Sequence, residues 1–131
     1  MKVRAVRKNI EATVAMGAHP SLSRYEVSLG HEYIVFTVDC YYDSRKMERS
    51  ILYGIEDEYG RLMLYPAALF EVTDARASKY WLAGYSDGSF YLRPQEFIDN
   101  VYLSDDIHED LPGARAAFRE IKARFESEAA E

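Results

Sequence analysis

The side chains able to do acid-base or ligating chemistry are few, and their spacing decides what they can do. Carboxylates fall in adjacent pairs: Asp57 with Glu58, Asp105 with Asp106, and Glu109 with Asp110. Two neighbouring acids work as general acid and base when an apolar pocket desolvates one and drives their pKa values apart. These pairs sit in polar stretches that read as solvated turns and imply no such pocket. The three histidines, His19, His31 and His108, are remote in sequence from one another and from Cys40, so they make no local metal motif. Asp105, Asp106, Glu109 and Asp110 offer oxygen donors but lack the D-x-D-x-D-G spacing of a calcium loop. A Gly-rich phosphate loop and a nucleophile elbow are both missing. The expectation is a protein without catalytic residues, metal or cofactor, and not an enzyme. A deep pocket holding a histidine or a desolvated carboxylate would revive the enzymatic reading.

What remains is recognition chemistry. Tyrosine is the commonest aromatic, with 11 copies, and Tyr41 and Tyr42 are adjacent. On a strand, neighbours point to opposite faces, so at least one of the two must face outward. Tyrosine provides rigid contact area with a polar tip, which suits a protein interface. Between Gln95 and Leu111 there are six carboxylates and no lysine or arginine. Acidic residues beside exposed tyrosines fit a basic protein partner. The candidate contact residues are Tyr41, Tyr42, Asp57, Glu58, Asp105, Asp106, Glu109 and Asp110.

Bulk properties agree. A chain of 131 residues with 48% hydrophobic and 14% aromatic residues can bury one core, so residues 1–131 are read as a single domain. The formal net charge of −6 argues against nonspecific binding to nucleic-acid phosphates. One cysteine excludes an intrachain disulfide, and Cys40 lies in an apolar run as an inert buried thiol. There is no membrane-length apolar run and no signal-peptide core, so the expected location is cytoplasmic. The basic and apolar alternation of Lys2 to Lys8 tempts a nucleic-acid reading. The preferred one is an edge strand guarded by charge, with Val3 and Ala5 facing in.

The elements are organised around Ser50 to Val72. Ile51, Tyr53 and Ile55 have the period of a strand. Glu56 to Gly60 breaks it, with Gly60 supplying the positive φ of a hairpin connection. Arg61 to Tyr65 resumes extended, and Pro66 ends the strand because it cannot donate to a ladder. One helical turn at Pro66-Ala67-Ala68 leads to a short closing strand, Leu69 to Val72.

Upstream, Asn9 to Arg24 is the least regular stretch, with Ile10 to Met16 long enough for two helical turns before Gly17. Gly30 turns the chain into a long strand whose middle, Tyr33 to Val38, is apolar on both faces. Such a strand is either covered on both sides or bends across two sheets. Asp43 to Arg49 reads as an exposed connection. Downstream, Lys79 to Ala83 and Ser89 to Arg93 make a hairpin through Asp87-Gly88. Trp81 is either a core anchor or a binding hot spot, and its apolar strand neighbours favour the core. Pro94 opens a helix that puts Phe97, Ile98 and Val101 on one side. Ser104 to Asp110 is expected to be an acidic loop. Asp110 caps a final amphipathic helix, with Ala114, Ala117, Phe118, Ile121 and Phe125 on its buried stripe and a frayed tail after Glu126.

Leu29-Gly30-x-Glu32-Tyr33-x-Val35, then Tyr53-x-Ile55-x-Asp57-x-x-Gly60 and Tyr65-Pro66-Ala67-x-Leu69-Phe70-Glu71-Val72, resembles a pattern in small bacterial and phage proteins with an SH3-like barrel. The resemblance covers about residues 29 to 73. It implies an α+β fold: a small antiparallel SH3-like β-barrel over about residues 1–73, with an added β-hairpin and C-terminal helices over about 78–129. Proteins of this kind include candidate immunity proteins of interbacterial toxin systems. The implied function is binding and occlusion of a cognate toxin, with a basic toxin domain as partner and neither nucleic acid nor membrane. The alternative is an SH3-like protein-binding adaptor of a phage or mobile element. The resemblance carries no catalytic residue.

Overall fold

A computed structural model describes residues 1–8, 25–43, 48–86 and 88–131. The expected short helix at 10–16, the loop around His19 and most of the Asp43–Arg49 connection lie outside the described residues. The elements are β1 (Lys2–Ala5), β2 (Glu32–Ile34), β3 (Thr37–Asp43), β4 (Glu48–Glu56), β5 (Leu62–Pro66), a 3-10 turn (Ala67–Leu69), β6 (Phe70–Asp74), β7 (Leu82–Ser86), β8 (Ser89–Arg93), α1 (Gln95–Asp99), α2 (Leu103–His108) and α3 (Pro112–Ala129).

The protein is α+β, with two antiparallel sheets and C-terminal helices. One sheet has three strands in the order β2-β1-β6, and the other has five in the order β5-β4-β3-β8-β7. The described strands form these two open sheets and no closed barrel. The central unit folds as expected: β4 pairs with β5 across a turn in which Gly60 takes φ +72°, and Pro66 ends β5 before the 3-10 turn and β6.

The long apolar strand is two strands. Val35 and Phe36 interrupt it, and the chain passes from the three-stranded sheet into the five-stranded one. This switch explains the apolar character on both sides. Val35 faces a core between the sheets with Val3, Ala5, Tyr33, Val38, Tyr53, Ile55, Tyr65 and Leu69, whereas Phe36 turns into a second core with Leu62 and the helices. The Phe36 ring meets Phe118 and Phe125 at 5.3 Å each. Trp81 joins the two cores, and its indole donates to the Phe36 carbonyl at 2.8 Å.

Three expectations about β1, α1 and α2 are corrected. β1 is the middle strand of its sheet, not an edge, because β6 returns along its far side. Its cations meet acids across the sheet: Lys2 with Glu32 and Arg4 with Glu71, each at 3.5 Å. Residues 104–108 are helical rather than a loop, since Leu103 and Ile107 are one turn apart and both bury against the second core. Their carboxylates Asp105 and Asp106 fall in the first turn, where the helix dipole favours negative charge. α1 stops at Asp99, so Val101 lies beyond it and is exposed.

The end of the chain is tied down, not frayed. α3 runs to Ala129, and Glu128 accepts from Ser78 Oγ at 2.8 Å and from the Lys79 amide at 3.0 Å. At its start Leu111, not Asp110, holds the cap position, with no side-chain cap. Asp110 takes φ +64° and binds Arg115 Nε at 2.5 Å instead.

Candidate functional site

Register separates the eight candidate contact residues into two regions. β3 pairs with β4 from Thr37↔Gly54 to Asp43↔Glu48, so Tyr41 and Tyr42 lie beside Ser50 and Arg49. Asp57 and Glu58 follow the opposite end of β4. Six residues separate Ser50 from Glu56, about 20 Å at strand rise. α2 packs against β5, which puts Asp105, Asp106, Glu109 and Asp110 on the Asp57 side of the molecule.

Asp57 is not a contact residue. It is 5% exposed, and its carboxylate is enclosed. Oδ1 accepts the amides of Tyr59 and Arg61 at 2.9 and 3.1 Å. Oδ2 accepts the Tyr65 hydroxyl at 3.0 Å and Arg61 Nη2 at 3.1 Å. The carboxylate therefore organises the β4–β5 turn from inside, replacing the solvated turn expected for this pair. Glu58 is exposed, yet its Oε1 accepts the Tyr33 hydroxyl, which in turn accepts the Ser28 amide at 2.8 Å.

Both phenols are held protonated. Burial first, then donation to Glu58, pushes the Tyr33 pKa from 10.0 up to about 12. Burial and the hydrogen bond to Asp57 raise Tyr65 as well. A phenol whose pKa is higher in the folded chain is deprotonated first in the unfolded one. Its stabilising contribution is complete below pH 10, and it is lost as pH rises from about 10 through about 12. Urea midpoints measured at intervals across that window should fall, together with late-ionising tyrosine absorbance. A Tyr33→Phe, Tyr65→Phe double variant should flatten the fall; an unchanged slope would show that these phenols are not its source.

The other region is open and aromatic. Residues directly opposite on neighbouring strands share a face. Ile51 pairs with Cys40, Cys40 with Phe90, and Phe90 with Tyr85, a single line across β4, β3, β8 and β7. Tyr42 is on the same face, two residues along from Cys40. Exposures are 46% for Ile51, 43% for Tyr42, 42% for Phe90 and 74% for Tyr85. One row deeper, Tyr53, Val38 and Leu92 join the core between the sheets. The same sheet face is thus core at one end and open surface at the other. At the strand spacing the row is about 14 Å wide. Cys40 is half-buried in its middle, and burial, then the neighbouring Asp39, push its thiol pKa up, which suits a packing role over a reactive one.

Tyr41 faces the other way and is also exposed. On that face Arg93 binds Asp39 at 2.5 Å and lies 4.2 Å over the Tyr91 ring. Sequence reasoning found Tyr42 but missed Ile51, Phe90 and Tyr85 as one surface. Their strand periodicity was legible; the pairing of β8 with β3, which places them side by side, was not.

Among the described residues no group of three or more His, Cys, Asp or Glu is placed to hold a metal ion, and no helix is long and apolar enough to cross a membrane. No family model, curated protein or solved structure matches this chain.

Proposed function

We propose that this protein is an immunity protein that binds a cognate bacterial toxin and neutralises it by occlusion, without turnover. The observation that carries this reading is the exposed Ile51–Phe90–Tyr85 row with Tyr42 at its margin. Aromatic anchors on a rigid sheet are what a tight protein interface concentrates its energy in. The row continues a face whose next row, Tyr53, Val38 and Leu92, is packed in the core, and its backbone is fixed by strand pairing, so little backbone ordering is lost on docking. Asp105, Asp106 and Glu109 lie toward the other end of the molecule. Their part is to speed encounter with a basic toxin domain, since steering acts at longer range than contact. The cytoplasm is the compartment where such an inhibitor would meet an incoming toxin. The run of strand, turn, strand, 3-10 turn and strand from Glu48 to Asp74 supports an SH3-like relationship for this part of the fold.

The test uses the protein as bait in lysate of its own organism, beside a Tyr85→Ala, Phe90→Ala double variant. Both side chains are substantially exposed, so the variant should melt as the parent does. The expected partner is toxic when expressed alone and harmless with the parent, and it binds the variant at least about 30-fold more weakly, as removal of hot-spot aromatics does. Full protection by the variant would move the interface elsewhere. Several substoichiometric, non-toxic host proteins would favour an SH3-like adaptor of a phage or mobile element.

A further inference from the structure

The chain is acidic, yet four of its 16 lysines and arginines line one groove, with Glu56 and Asp110 among them. Between the β4–β5 turn and helices α2 and α3 lies a groove of about 500 Å³, whose lining includes Arg61, Arg115, Arg119, Lys122, His108 and Tyr59. That volume is typical of small-molecule sites. Arg115, Arg119 and Lys122 stand four and three residues apart, so they share one face of α3, and Arg61 comes from the turn opposite.

This arrangement works against the stability of the helix. Like charges at this spacing repel. Arg115 is also in the first turn, where the helix dipole disfavours a cation, and that turn holds no acid. Neighbouring carboxylates pair with three of the four cations, though not through every nitrogen. Asp57 engages Arg61 through Nη2 alone, and Arg61 Nε is buried without a partner. Asp110 engages Arg115 through Nε, leaving its outward nitrogens, and Glu56 holds Lys122 at 2.9 Å with Glu126 at 3.9 Å. Arg119 has no ion pair or hydrogen bond among the described residues.

We propose that this groove binds a small ligand bearing linked phosphates. Arginine forks match phosphate oxygens in bidentate geometry. The cations extend over seven helical residues, about 10 Å along the axis, which suits a chain of phosphates better than a single one. Tyr59, exposed and stacked with Arg61 at 5.1 Å, offers a platform for a planar ring if the phosphates belong to a nucleotide. The site is separate from the aromatic row and does not depend on the toxin reading.

Calorimetry on the intact protein at low salt tests this, with sodium tripolyphosphate, a nucleoside triphosphate and the free nucleoside as probes. Tripolyphosphate should bind, and Arg119→Ala should weaken it by about tenfold, the scale of one lost charge-assisted hydrogen bond. Arg119 is exposed, so this variant should fold; Arg115→Ala, Arg119→Ala should lose binding altogether with the melting temperature checked in parallel. A nucleoside triphosphate that binds more tightly than tripolyphosphate, with the gain lost in Tyr59→Ala, assigns a nucleotide; equal affinities assign the phosphate chain alone. No heat from either phosphate probe, or binding indifferent to Arg119, overturns the proposal.

Discussion

Asp57→Ala is expected to lower the free energy of unfolding by about 3 kcal/mol, the scale for removing one partner from a buried charged network. The carboxylate accepts from four donors, of which the Tyr65 hydroxyl is the most enclosed. Removing it strands that hydroxyl and two turn amides. The Arg61 side chain is 40% exposed, so water can take up part of what its guanidinium loses, which keeps the cost below the upper end for buried ion pairs. Asp57→Asn keeps an oxygen for the two amides and should cost less, about 1–2 kcal/mol. Urea unfolding of the two variants beside the parent checks this. A loss below about 1 kcal/mol for the alanine variant would mean that the turn holds without its inner carboxylate.

The second large effect is at Phe36. This ring is 2% exposed and packs into the helical core, edge-on to Phe118 and tilted against Phe125. Phe36→Ala removes that contact and leaves a cavity, so the expected cost is about 3–5 kcal/mol. Phe36→Leu keeps most of the volume and should cost about 1 kcal/mol. The sole tryptophan gives an independent readout, because Trp81 donates its indole N–H to the Phe36 carbonyl and touches both cores. Its emission should shift to the red at lower urea in the alanine variant, together with the loss of helical circular dichroism. Loss of tryptophan shielding well before the helices melt would show that the two cores unfold separately.

Neither effect was legible in the sequence at full size. Asp57 reads as half of a solvated acid pair because nothing local says that a tyrosine eight residues later folds back over it. Its neighbour Glu58, of the same chemical type, does stay exposed, and the strand register alone tells the two apart. Phe36 reads as one apolar residue in a long apolar run. Its importance comes from the chain changing sheets between Ile34 and Thr37, which sends adjacent side chains into different cores. The tail from Glu126 reads as frayed because it is polar and terminal. It is held by Ser78 and Lys79, some fifty residues away in sequence.

The sequence by itself determined the local units: the β4–β5 hairpin with its Gly60 turn, the 3-10 break after Pro66, the presence of the β7–β8 hairpin, whose first strand runs Leu82–Ser86 and leaves out Trp81 instead of running from Lys79 to Ala83, and the apolar stripe of α3. Each follows from backbone sterics and side-chain periodicity, which act within a few residues. Tertiary structure decided how those units meet. It put β1 in the middle of a sheet, folded an acidic stretch into α2 over two apolar residues, and paired β8 with β3. That last pairing makes one exposed aromatic row from residues of four strands, and the packing of α3 beside the β4–β5 turn gathers cations from 61 to 122 around one groove. These are products of long-range burial, whose driving force depends on total apolar area removed from water rather than on any local pattern.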